Sequence, residues 1–406
     1  MAEAVARRSY GKLVAFLSAR TRDVAAAEDA LSDAFASALA HWPADGVPQN
    51  PEAWLLTAAR RKTIDQIRRR QRSDNATDHM KMMDEELASA NDNDIPDQRL
   101  ALMFACAHPA IDAATRAPLI LQTVLGFDAA TIASAFLIAP SSMSQRLVRA
   151  KTKIRDAGIP FRVPERDALK ERLDAVLEAI YTAYSEGWSD PAGTDLRRRN
   201  LAEEGIWLGR LVASLLPDEA EALGLLALML YAEARRGARR GDNGEFVPLT
   251  EQYTARWNAA MIEEGEALLR RAGAMHAIGR YQLEAAVQSA HAVRRLTGRA
   301  DWGAIEKLYD ALLTLTGSPV VGINRAVAVA ETKGAAAGLA ALDEHAQDAR
   351  MAQYQPYWAA RADLLARTGN AGEADTAFER AIGLEADPAI RTFLQKRRDE
   401  TAAKRR

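Results

Sequence analysis

Apolar residues recur at every third or fourth position along almost the whole chain, and runs that alternate apolar with β-branched or polar residues are nearly absent. The first spacing keeps one face of an α-helix apolar, whereas a half-buried strand needs the second. The chain is therefore expected to be all-α, and its abundant alanine, leucine, glutamate and arginine are good helix formers. At 406 residues it is too long for one ordinary core, so several helical domains are expected. Two breaks divide it. Residues 73–96 are polar and acidic, with an Asn-Asp repeat closing on Ile95-Pro96, and read as a flexible linker in which Met80, Met82 and Met83 form at most a loosely ordered helix. Gly158, Pro160 and Pro164 stop the pattern a second time. The blocks so defined are 1–72, 97–157 and 165–400, the last interrupted by a glycine-rich polar loop near Gly237–Pro248.

A net charge of −2 conceals strong segregation, with basic residues crowded into 60–72 and 146–155 and acidic ones into 74–97. Such local clusters matter more to a nucleic-acid partner than the total. No stretch approaches the roughly 18 uncharged apolar residues of a membrane span, and the first residues lack the apolar core of a signal peptide. The single cysteine, Cys106, fits a reducing cytoplasm, and no membrane partner is expected. Cys106 and His108 have no second ligand pair, which favours a core position over a metal site. His276 and His291, with Tyr281 and Glu284 between them, form no catalytic spacing. Neither a phosphate-cradling glycine loop nor a Ser-His-Asp order is present, so no enzyme activity, metal or cofactor is expected.

In the first block, Asn50-Pro51-Glu52 starts a helix running to about Arg72, with an Asn cap, Pro in the first turn and an acid at the positive end of the dipole. Leu56, Ala59, Thr63 and Ile67 share its apolar side, while Arg60, Arg61, Lys62, Arg68, Arg69 and Arg70 form a surface able to neutralise several phosphates. The preceding helix, Ala27–Trp42, sets Leu31, Ala34, Phe35 and Ala38 on one side and Glu28, Asp29 and Asp33 on another. An acidic helix beside a basic one makes sense where one face meets protein and the other meets DNA. In the second block, Ile132, Ala133 and Phe136 belong to a short helix that turns through Leu137–Pro140 into a second one, beginning at Ser141 and Ser142 and carrying Met143, Leu147 and Ile154 inward. This is helix-turn-helix spacing, and the second helix offers Ser144, Gln145, Arg146, Arg149, Lys151 and Lys153 for bases and phosphates.

Taken together, AEDALSDAFASALAHW and NPEAWLLTAARRKTIDQIRRR resemble region 2 of sigma factors of the extracytoplasmic-function type. The segments PDQRLALMFACAHPAI and TIASAFLIAPSSMSQRLVRAKTKIRDAGIP resemble region 4. YSEGW at 184–188, RYQLEAAVQSAHA, DWGAIEKLYDALL and SPVVGINRAVAVA are similar to the subgroup with a long tetratricopeptide-like C-terminal extension. The resemblance implies an all-α chain with a region 2 bundle, a region 4 helix-turn-helix and a helical-repeat domain, acting with core RNA polymerase on promoter DNA. It places Glu28, Asp29 and Asp33 at the polymerase clamp, Arg60 to Arg69 along the strand-opening and −10 surface, and Ser144 to Lys151 in the −35 major groove. The chain departs from many relatives at Arg61, where they carry asparagine.

In the last block Gly334 and Gly369 lie 35 residues apart, near the tetratricopeptide period, and Trp358, Ala362, Leu365, Gly369, Ala374, Phe378 and Ala381 follow that consensus. Such stacks bind protein or peptide partners, or simply brace their neighbours. The arginines of the loop Arg235–Pro248 offer a contact to DNA, but a solvated loop is the expectation. Two other readings are an operator-binding helix-turn-helix regulator with a C-terminal sensing domain, and an enzyme with an incidental helical shape. Two basic blocks joined by a linker spanning roughly 27 Å favour a factor that touches two promoter elements.

Overall fold

The computed structural model describes residues 2–71, 97–136, 138–188 and 196–403. The acidic segment 73–96, with Met80, Met82 and Met83, lies outside the described residues. Within them the chain is helical throughout, with one isolated bridge between Arg240 and Phe246 in place of any strand. It divides into two compact units, one made of residues 1–188 and 196–205, the other of 206–406 with 189–195.

The first unit contains α1 (Ala2–Thr21), α2 (Val24–Asp45), α3 (Pro51–Gln71), α4 (Arg99–Cys106), α5 (Ala113–Leu125), α6 (Ala129–Ala135), α7 (Pro140–Asp156) and α8 (Arg166–Trp188), and it takes the first half of α9 (Leu196–Leu215). Helix α1 is its centre. From Leu13 to Ser18 every side chain is buried, because α2, α3, α4 and α5 all pack around it. The closest approach is at Gly11, where a Cβ would overlap the Val124 carbonyl of α5; only glycine lets these two backbones meet. Residues 1–71 and 97–157, separate blocks by sequence, thus share one core.

The second boundary also falls elsewhere than at residue 165. Helix α8 buries Leu173, Val176, Leu177 and Ile180 and packs on α4 and α5, and Arg172 donates a hydrogen bond of 2.8 Å to the Phe104 carbonyl. Glycine and prolines at 158–164 end α7 without ending the unit, since Ile159 is still buried. Cys106 lies in this core, 3.4 Å from the Thr123 hydroxyl, and burial pushes its thiol up to about 12. It is a packing residue.

The second unit continues with α10 (Ala220–Ala234), α11 (Ala259–Ala274), α12 (Arg280–Ala292), α13 (Arg294–Thr297), α14 (Trp302–Thr316), α15 (Pro319–Lys333), α16 (Ala335–Asp343), α17 (Gln355–Arg367), α18 (Ala371–Leu384) and α19 (Pro388–Ala403). Packing passes from each helix to its near neighbours in the chain, the pattern of stacked helix pairs. Gly334 and Gly369 adopt positive φ between paired helices. Ala362, Leu365, Ala374, Phe378 and Ala381 gather in one cluster with Trp358 against it, and Arg361 ion-pairs with Asp343.

The loop after α10 is not the solvated segment expected. Its arginines have partners: Arg235 donates to Gln288, Arg236 pairs with Glu233 at 2.8 Å, and Arg240 pairs with the buried Asp387. Phe246 meets Phe393 of α19 edge-on at 5.4 Å, and Arg397 pairs with Glu251 at 2.8 Å. The loop therefore clasps the last helix of the unit, and a cleft of about 820 Å³ opens between them.

Candidate nucleic-acid interface

Helix α7 starts at Pro140, one residue before the expected start at Ser141. Ala139 occupies the cap, Pro140 is the first helical residue, and Ser141 and Ser142 sit exposed in the first turn without capping it. Proline suits that position because its fixed φ is already helical and its missing N–H would have no partner there. Helix α6 is capped by Asp128, whose carboxylate accepts from the Thr131 amide at 2.8 Å and its hydroxyl at 2.7 Å. Ile132 and Ala133 of α6 are buried, as are Met143, Leu147, Ala150 and Ile154 of α7, and the two helices pack against each other. Phe136 is half-buried, and Leu137 lies outside the described residues. The outer face of α7 presents Ser144, Gln145, Arg146, Val148, Arg149 and Lys153 to solvent. Arg146, Arg149 and Lys153 also line a cleft beside the start of α5.

The other basic surface is α3. The Asn50 side chain accepts from the Ala53 amide at 3.1 Å, and Leu55, Leu56 and Ala59 face the core. Arg61 and Lys62 are exposed, whereas Arg60 lies half-buried with its guanidinium carbon 5.8 Å from the Phe16 ring centroid. The side chains of Thr63, Ile67, Arg68, Arg69 and Arg70 lie outside those described. On α2, Leu31, Ala34 and Ala38 are buried, Phe35 is half-buried, and Asp29 and Asp33 are exposed. Asp33 stands 3.5 Å from Lys62, so the acidic and basic helices touch at that point.

Glu28 and Lys151 behave unlike their neighbours. The two side chains are only 12% and 11% exposed, and the Lys151 ammonium donates to the Glu28 carboxylate. One turn on, Arg155 lies 3.8 Å from Asp23, the residue that caps α2 by accepting from the Ala26 amide. Burial raises the Glu28 carboxyl above its ordinary range, with Lys151 pulling the other way. The structure thus brings together one residue expected at polymerase and one expected at DNA. The remaining expected contacts on α7 stay open to solvent. Val148, on the same face as Gln145, was not among the residues singled out by sequence; its only signal is an apolar residue off the inward stripe.

Residues 5–73 match the sigma-70 region 2 family, which covers α1, α2 and α3. The chain carries a sigma-70 region 2 domain at its N-terminus. Residues 172–273 match a family of unknown function, DUF6596. A relative from Rhizobium meliloti (strain 1021), itself an uncharacterised protein, is 37% identical over 94% of this chain and 91% of its own length. No solved structure matches. Among the described residues no group of three or more His, Cys, Asp or Glu is placed to hold a metal ion. No described helix is long and apolar enough to cross a membrane.

Proposed function

We propose that this chain is a sigma factor of the extracytoplasmic-function type that binds core RNA polymerase, selects promoters and carries a tetratricopeptide-like C-terminal regulator. The observation that carries the reading is the pairing, in one compact unit, of a sigma-70 region 2 with the two-helix element α6–α7. The outer face of α7 offers Ser144, Gln145, Arg146 and Arg149, a mixture suited to base edges and phosphates together. Asp29 and Asp33 supply the acidic surface for the polymerase clamp, and Arg61 and Lys62, continuing toward Arg68 and Arg69, supply the −10 surface.

Glu28 and Lys151 join those surfaces only once they have parted from each other, because each now satisfies the other's charge. Arg60 contributes from beneath Arg61 rather than as a free cation. The second unit has the stacked-pair architecture of a domain that holds a protein or peptide, and regulation of initiation is the role proposed for it. In vitro transcription with core enzyme on a library of genomic promoters tests the whole reading. The full chain is expected to direct specific starts, and the D29K/D33K variant to lose its complex with core enzyme while keeping its fold. A wild-type chain that forms no complex with core enzyme sinks the proposal.

A further inference from the structure

Val148 is 59% exposed in the middle of a 17-residue helix whose inward stripe is already complete with Met143, Leu147, Ala150 and Ile154. It packs in no core. Helix stability does not account for it either, since a β-branched side chain is a poorer helix former than the arginine, lysine and leucine around it. What surrounds it is the polar face proposed to read DNA. Ser144 is four residues before it, Gln145 three before it and Arg149 directly after it, and all are exposed. Residues three and four apart on a helix are neighbours, so Ser144, Gln145 and Val148 form one small surface with an apolar centre.

In the major groove an apolar side chain has one distinctive partner, the C5-methyl of thymine, whereas Gln pairs in bidentate fashion with adenine. Three residues advance about 4.5 Å along a helix, close to the ~3.4 Å step between base pairs. We propose that Val148 is a specificity-determining residue that reads a thymine methyl in the −35 element, on a base pair adjoining the one read by Gln145. The inference rests on the sigma-factor reading above and names a contact within it. Arg146 and Arg149, flanking this surface, hold the helix in the groove through phosphates.

Replacing single thymines of the −35 element by deoxyuridine removes the methyl and nothing else. The element is first selected from random duplexes by the complex of the full chain with core RNA polymerase, and each uracil-substituted duplex is then titrated. Burial of one methyl is worth on the order of a fourfold change in affinity, so one position is expected to lose about that much. Val148→Ala is expected to weaken binding to the thymine duplex by a similar factor and to leave the uracil duplex unaffected, with circular dichroism unchanged. The proposal is overturned if no thymine is sensitive to its methyl, or if V148A weakens both duplexes alike. A selection that returns no preferred sequence despite complex formation would remove the promoter-reading role itself. A methyl-insensitive but sequence-specific complex would remove only the role of Val148.

Discussion

The first unit wraps several helices around one, whereas the second adds each helix to the last in chain order. In the first, α1 meets α2, α3, α4 and α5, so residues more than a hundred positions apart share a core. In the second, ion pairs bind the stack to itself: Arg210 to Glu264 at 2.6 Å, Arg325 to Asp310 at 2.6 Å, Arg367 to Glu331 at 2.7 Å and Arg398 to Asp375 at 2.5 Å. Arg146 and Arg149 of the first unit stand exposed with no acidic partner among the described residues. Spare cations on a rigid helix are what a polyanionic partner requires, while a surface that neutralises itself suits a protein partner or a brace.

The sharpest way to break this comparison is to unbalance the Glu28–Lys151 pair, which is nearly buried in the first unit. Lys151→Met leaves Glu28 buried and alone, and is expected to cost about 3–5 kcal/mol. Adding Glu28→Gln should recover most of that loss, because the penalty belongs to the stranded charge. Hydrogen exchange of first-unit peptides in the full chain reads both variants, and a double variant no better than the single would refute the account. Next comes Gly11→Ala, whose methyl meets the rigid Val124 carbonyl and should cost about 1–3 kcal/mol. Gly322→Ala in the second unit meets first the His345 ring, which can swing aside, and should cost less. Equal losses at the two glycines would show that backbone contact is not what distinguishes them.

A smaller effect belongs to the second unit and depends on pH. His291 is held at about 4, chiefly by burial, then by Arg235 and Arg294. The unfolded chain takes up this proton near pH 6.5 and the folded one only near 4, so stability falls as pH drops through that window. At about 1.4 kcal/mol per unit the loss reaches ~2 kcal/mol by pH 5. His291→Gln should flatten the slope for second-unit peptides and leave first-unit peptides as they were; unchanged slopes would dismiss the histidine. The smallest change is expected at the exposed pair. Lys62→Ala breaks the contact with Asp33 yet should shift thermal stability by no more than about 0.5 kcal/mol, and a larger shift would mean that the pair supports the fold.

Much of this was legible in sequence because helix periodicity is local information. The Asn50 cap and the inward stripe of α7 each follow from residues three or four apart on one helix, and the cluster around Phe378 follows from a short repeat spacing. The partner of Glu28 was not legible, because Lys151 is 123 residues away and many arginines and lysines competed for it. The start of the second unit was misplaced for a related reason. Glycine and proline report that a helix stops, but only the apolar side of α8 and the surface it meets decide where a core stops. The partners of the loop arginines were hidden in the same way, because Gln288 and Asp387 are distant in sequence.

The clasp between the loop after α10 and α19 gives the second unit a property that a plain stack lacks. Helix pairs that touch only their neighbours come apart like a zipper, beginning wherever an end is loose. Here Arg240, Phe246 and Glu251 grip Asp387, Phe393 and Arg397, so the final helix is anchored far back in the chain instead of trailing. Fraying at that terminus has to break an early segment and a late one together.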